Sequence, residues 1–179
     1  AADRLALAEQ SNAETAGIDS GTLLVTEMLS GNIVTPDRVG TRSSMLRYMA
    51  AEACRTGALY DTAALLEQLT LREQAASTAL RCGAALVHPL DVRKLFVEQS
   101  LLMLFRPPHP LPFGEESGRL TSLFFLMIFP VANEHLHMLA RLNRLLRLHG
   151  FVDSMLFAPG PTEMLDIVRE GEHELCAPS

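Results

Sequence analysis

Cysteine is scarce in this chain. Cys54, Cys82 and Cys176 are the only three in 179 residues, an odd number with no CxxC spacing. That excludes a disulfide framework and a cysteine-based zinc module. It points to a reducing compartment and so to a cytoplasmic protein. Long apolar runs are also missing. The longest, residues 123–129, falls far short of the ~20 residues that span a bilayer, so no membrane span is expected. No signal peptide is visible at the start. Positive charge is not in excess: 15 Lys and Arg stand against 21 Asp and Glu, a formal net charge of −6. A domain of that balance carries no general footprint for nucleic acid. There is no internal repeat and no low-complexity block. The chain opens on Ala1 rather than Met, as a piece of a longer protein would.

What remains is the composition of one soluble domain, 48% hydrophobic and 20% charged. Residues 1–16 are rich in Ala, Glu and Leu and read as a weakly amphipathic helix, so residues 1–20 are expected to form a helical extension or linker. A short helical turn at 23–29 and a short strand at 33–35 follow. Thr41, Ser43 or Ser44 can cap a helix over 43–56, and Asp61 caps the next, reaching Arg72 or Glu73. Residues 84–87, 100–105 and 120–129 are apolar strands. The last is apolar nearly throughout, which suits a central strand covered on both faces. Asn133 can cap a helix over 134–148. Shorter helices are expected at 151–157 and 162–169, with a flexible tail over 172–179. Short strands alternating with helices argue for the α/β class. The main domain is then 21–171.

The residues that carry chemistry cluster around 71–91. Residues 84–87 deliver His88 to the tip of a buried strand, and Pro89 stops it. An imidazole there is held rigidly and is open on one side, where α/β proteins place reactive groups. Arg72 and the Ser77 and Thr78 hydroxyls lie close enough in sequence to curl around one small anion. Each also has a plainer reading, Arg72 as a salt-bridge residue and the hydroxyls as turn residues. In the helix from 134, at about 100° per residue, His135 shares a face with Met138, Leu139, Leu142, Leu145 and Leu146. His137 points the other way with Arg141 and Arg144, which read as solvated. His135 lies in the first turn, where backbone N–H groups and the dipole favour an anion and a neutral imidazole. His109 sits among prolines and reads as a loop residue. A His88/His109/His135 metal site lacks ligand spacing and a carboxylate, so neither metal nor cofactor is expected.

The stretch Leu71-Arg72-Glu73, Ser77-Thr78 and Gly83-Ala84-Ala85-Leu86-Val87-His88-Pro89 resembles the surroundings of the phosphorylated histidine in fructose/mannitol-type enzyme IIA domains. These belong to the phosphoenolpyruvate-dependent phosphotransferase system and include its nitrogen-regulatory relatives. Residues 118–129, His135-Leu136 and Leu139-Ala140-Arg141-Leu142 resemble that family's later strand and helix, and the match runs over about 22–170. The resemblance implies a single-domain α/β sandwich with a mixed, mostly parallel sheet of about five strands and helices on both faces. It implies phosphoryl transfer from the histidine phosphocarrier protein to His88, with Arg72 and His135 as the active-site arginine and second histidine. Ser77 and Thr78 would bind the phosphate, and Arg81, where the family has Gly, either adds a second cation beside it or is solvated. A IIB domain or a regulated target would be the next partner. Departures are Val87 where the family has Pro, and Ala79, Arg81 and Cys82 where it has Gly, Gly and Asn. One alternative is a non-catalytic regulatory interaction module with the IIA fold; another is the sensory part of a longer transcription regulator.

Overall fold

The two longest apolar runs lie side by side at the centre of the molecule. In the computed structural model, which describes residues 24–114 and 117–176, β4 (Leu123–Ile128) and β3 (Leu101–Phe105) pair antiparallel, Leu101 opposite Ile128 and Phe105 opposite Phe124. Every residue of both strands is buried. Shielding on both faces explains why neither run alternates with polar residues. β2 (Ala84–Val87) adds parallel to β4, and β1 (Ile33–Val34) adds parallel to β3, giving the order β1-β3-β4-β2.

Side chains of successive strand residues enter opposite cores. Leu123, Phe125 and Met127 pack with α1 (Val25–Leu29), α4 (Ala132–Arg147), α5 (Phe151–Phe157) and α6 (Pro161–Cys176). Phe124, Leu126 and Ile128 pack with α2 (Arg42–Arg55) and α3 (Thr62–Ala75). The α/β class, the mixed sheet and the helices on both faces are therefore as expected, and two of the three strand pairings are parallel.

The sheet has four strands rather than about five. Beside β2, residues 78–80 bond to it through Leu86 N to Thr78 O and Leu80 N to Ala84 O, but only one bridge forms, Ala79 with Ala85. Gly83, at φ +86°, supports the reversal, but α3 ends at Ala75, only a few residues before Thr78, so the segment has no length for a longer ladder. Among the described residues no side-chain-bearing residue has positive φ, so Ala79, Arg81 and Cys82 sit in this turn without left-handed backbone.

Capping sets several helix boundaries. Thr41 and Ser44 form a capping box at α2, and Asp61 accepts from Ala64 N at 2.9 Å at α3. Asn133 does not cap α4. Pro130 ends β4 and the helix has already begun at Ala132, leaving Asn133 inside it and exposed.

The C-terminal region differs most from expectation. α6 runs through to Cys176, and Glu172, expected to open a flexible tail, is buried. Its carboxylate accepts from Val25 N at 2.8 Å, Thr26 N at 2.9 Å and Thr26 Oγ1 at 2.5 Å, capping α1 from a distant element. Arg141, expected on a solvated face, is buried under α6 with Nη1 3.5 Å from Glu172 Oε1. Gly171 permits this approach, because a Cβ there would lie 2.8 Å from Leu145 Cδ2. The helix and linker expected over 1–20 fall outside the described residues.

Candidate functional site

His88 follows β2 directly, and Pro89 prevents the strand from continuing. The imidazole is only 6% exposed but borders a cavity of about 710 Å³. Three structural elements supply the surroundings. α3 contributes Arg72, the segment after His88 contributes Leu90, Arg93 and Lys94, and the start of α4 contributes His135.

The ring's two nitrogens have distinguishable roles. Nδ1 lies 2.8 Å from Leu86 O, and Arg72 Nε donates to Nε2 at 3.0 Å. A carbonyl can only accept and a guanidinium can only donate. The ring is therefore a neutral imidazole with its proton on Nδ1 and its lone pair on Nε2. Burial, then the Arg72 charge, then His135 push the His88 pKa down to about 3, while the Leu86 carbonyl pulls the other way. The His88 and His135 rings meet edge to face, centroids 5.1 Å apart and planes at 67°.

Arg72 is itself 3% exposed, and its Nη1 donates to Ala76 O at 2.8 Å, closing the end of α3. Next to it, Glu73 is buried and its carboxyl pKa is raised, chiefly by desolvation. It accepts from Thr78 Oγ1 and, at 3.3 Å, from Thr78 N.

The structure thus brings His88, Arg72 and His135 together. It does not bring the other three expected residues to the cavity. The Thr78 hydroxyl is held by Glu73, and Ser77 Oγ donates to Phe113 O at 3.2 Å while accepting from Ala79 N. Arg81 is exposed on the turn, with its carbonyl accepting from Arg119 Nη1. His109 is exposed in its loop, as expected. Among the described residues no group of three His, Cys, Asp or Glu side chains is placed to hold a metal ion, and no helix is long and apolar enough to cross a membrane.

One contributor escaped sequence reasoning. Gln68, one turn before Arg72 on α3, binds the chain just after His88: Leu90 N donates to Gln68 O at 3.2 Å and Asp91 N to Gln68 Oε1 at 3.1 Å. The only signal in the sequence was its spacing of four from Arg72, which puts both on one helix face.

A neutral, tautomer-fixed histidine beside a buried arginine, at the rim of a mixed sheet, defines a histidine-centred α/β domain equipped to meet an anionic group. The family comparison makes this specific. Residues 28–171 match the family described as phosphoenolpyruvate-dependent sugar phosphotransferase system, EIIA 2, and the chain belongs to that family. Membership supports a phosphoryl-carrier role in that system. Among solved structures, the chain is similar to nitrogen regulatory protein IIA-Ntr from Neisseria meningitidis (TM-score 0.69, 22% identity, 80% of this chain and 98% of the other). It is similar to IIA mannitol from Escherichia coli (0.65, 18%, 78% and 96%). It also resembles a complex of enzyme IIAMtl and phosphorylated enzyme IIBMtl from the same organism (0.66, 16%, 83% and 98%). At these identities the likeness speaks to the fold. No relative is found among curated proteins.

Proposed function

We propose that His88 accepts a phosphoryl group from the histidine phosphocarrier protein and that the chain then passes it to a IIB domain or reports its phosphorylation state to a target protein. The observation that carries this reading is the fixed tautomer: a lone pair on Nε2, on a ring that borders a cavity wide enough for a donor side chain. Nε2 attacks phosphorus in line. The new N–P bond forms as the donor's own P–N bond breaks, with that electron pair returning to the donor's ring. The proton on Nδ1 remains hydrogen-bonded to Leu86 O throughout.

Arg72 has two jobs in this scheme. Before transfer its Nε–H faces the lone pair and disfavours protonation of the ring. During transfer the guanidinium turns to the equatorial phosphoryl oxygens, where planar paired donors suit the developing charge. His135, in the first turn of α4, steadies the ring by its edge-on contact. The rim suits a protein donor. Leu90 is exposed there and Lys94 adds positive charge, while Arg93 is paired with Asp91.

The complex of the mannitol neighbour with phosphorylated enzyme IIB supports a IIB partner. The test is incubation with labelled phosphoenolpyruvate, the first enzyme of the system and the phosphocarrier. Wild type takes up label and His88→Ala does not. Uptake by His88→Ala at the normal rate contradicts the assignment. No uptake by wild type leaves a non-catalytic interaction module with the IIA fold.

A further inference from the structure

We propose that Gln68 is a positioning residue that sets the donor-facing wall of the His88 cavity, an inference that rests on the phosphoryl-acceptor reading. Pro89, immediately after His88, has no N–H to donate. The first two backbone donors beyond the histidine are therefore those of Leu90 and Asp91, and both end on Gln68. Leu90 N reaches its backbone oxygen at 3.2 Å and Asp91 N its side-chain oxygen at 3.1 Å. A backbone N–H can only donate, so the amide presents Oε1, not its NH2 group, to Asp91. Gln68 is 3% exposed, which fixes its rotamer and removes competition from water.

The anchored residue then builds the wall. Asp91 Oδ1 accepts from Arg93 N at 3.1 Å, capping the 3-10 turn Val92–Lys94, and both its carboxylate oxygens hold the Arg93 guanidinium. Leu90 to Lys94 all border the cavity. Gln68 and Arg72 are four residues apart on α3, so one helix face holds the histidine ring through Arg72 and the wall opposite the incoming donor through Gln68. The ring has its own supports in Leu86 O and Arg72 Nε, and neither depends on Gln68. Leu90 keeps its bond to the Gln68 backbone oxygen, so losing the side-chain acceptor should misplace Asp91 and, through it, Arg93 and Lys94, while leaving the nucleophile aligned.

That division gives a signature. Gln68→Met keeps length and volume but removes the acceptor. In the carrier-dependent labelling assay its KM for the phosphorylated carrier should rise about fivefold to tenfold, the loss of roughly one hydrogen bond, with the maximal rate within about twofold of wild type. Amide hydrogen exchange at Asp91 should quicken while β3 and β4 stay protected. Gln68→Glu, which keeps an oxygen at the same point, should recover most of the KM. A purely structural role predicts the opposite split, a lower maximal rate from a smaller folded fraction at unchanged KM. That result, or a Gln68→Met variant indistinguishable from wild type, overturns the proposal alone. A wild-type chain that takes no label overturns the acceptor reading and this inference with it.

Discussion

Two buried arginines lie in different parts of this domain, and the contrast between them separates architecture from chemistry. Arg141 meets a carboxylate, Glu172, which also caps the N-terminus of α1, and the hollow beside the pair is about 10 Å³, room for one water at most. Arg72 meets a neutral imidazole and a backbone carbonyl and opens onto about 710 Å³. In the first cluster charge is compensated and space is filled, which ties the C-terminal helix to the first described one. In the second a cation is held beside the imidazole proposed as the nucleophile, and the cavity leaves room for a partner group. A cation and an imidazole held together at an open cavity suit a site that meets an anionic group.

The comparison can be broken from either side. Arg72→Met should produce the larger effect on chemistry, lowering the phosphoryl-transfer rate about a hundredfold, since the guanidinium is assigned to the transition-state charge. Rapid-quench labelling checks this, and a rate within a factor of a few of wild type would remove Arg72 from the mechanism. Glu172→Ala should produce the larger effect on stability, about 3 kcal/mol in urea unfolding, because it leaves Arg141 buried without its carboxylate and orphans the α1 N–H groups. The transfer rate per folded molecule should not move.

A third effect is one of pH. An ordinary histidine titrates near 6.5 in the unfolded chain, whereas His88 is held at about 3 in the fold. Between those values the unfolded state binds a proton that the native state does not, so stability is fully present above about 6.5 and falls as pH falls toward 3. The slope from this group is at most about 1.4 kcal/mol per pH unit. Urea titrations of wild type and His88→Gln from pH 7 to pH 5 should show wild type losing more. The same depression predicts a transfer rate with no His88 ionisation near pH 6.5. Smallest of all, Thr41→Ala removes the α2 cap far from both arginines. It should cost about 1 kcal/mol and change neither cluster.

The same contrast shows what a linear sequence can and cannot convey. β2 was legible to the residue because an unbroken apolar run stops at a histidine and a proline, and both features are local. His88, Arg72 and His135 were legible through a motif whose members keep their spacing. The Glu172–Arg141 pair was not. A glutamate near the end of a chain looks like tail until the N-terminus of another helix lies across it, and that contact spans 147 positions. Ser77 and Thr78 misled for the opposite reason. Their hydroxyls suit a phosphate equally well on paper, but Phe113 O and Glu73 engage them first. The missing fifth strand has a local cause: α3 ends at Ala75, which leaves residues 78–80 room for only one bridge beside β2. Gln68 was hidden because its partners, the amides after His88, belong to the backbone and carry no sequence signal.

The central claim is that His88 Nε2 is the phosphoryl acceptor. Nitrogen-15 and phosphorus-31 NMR of the chain after incubation with the phosphorylated carrier tests it at the level of the atom. The account predicts a single phosphoryl group bonded to Nε2 of His88, with Nδ1 still protonated toward Leu86. A phosphoryl group on Nδ1, on His135, or on no histidine at all would contradict it.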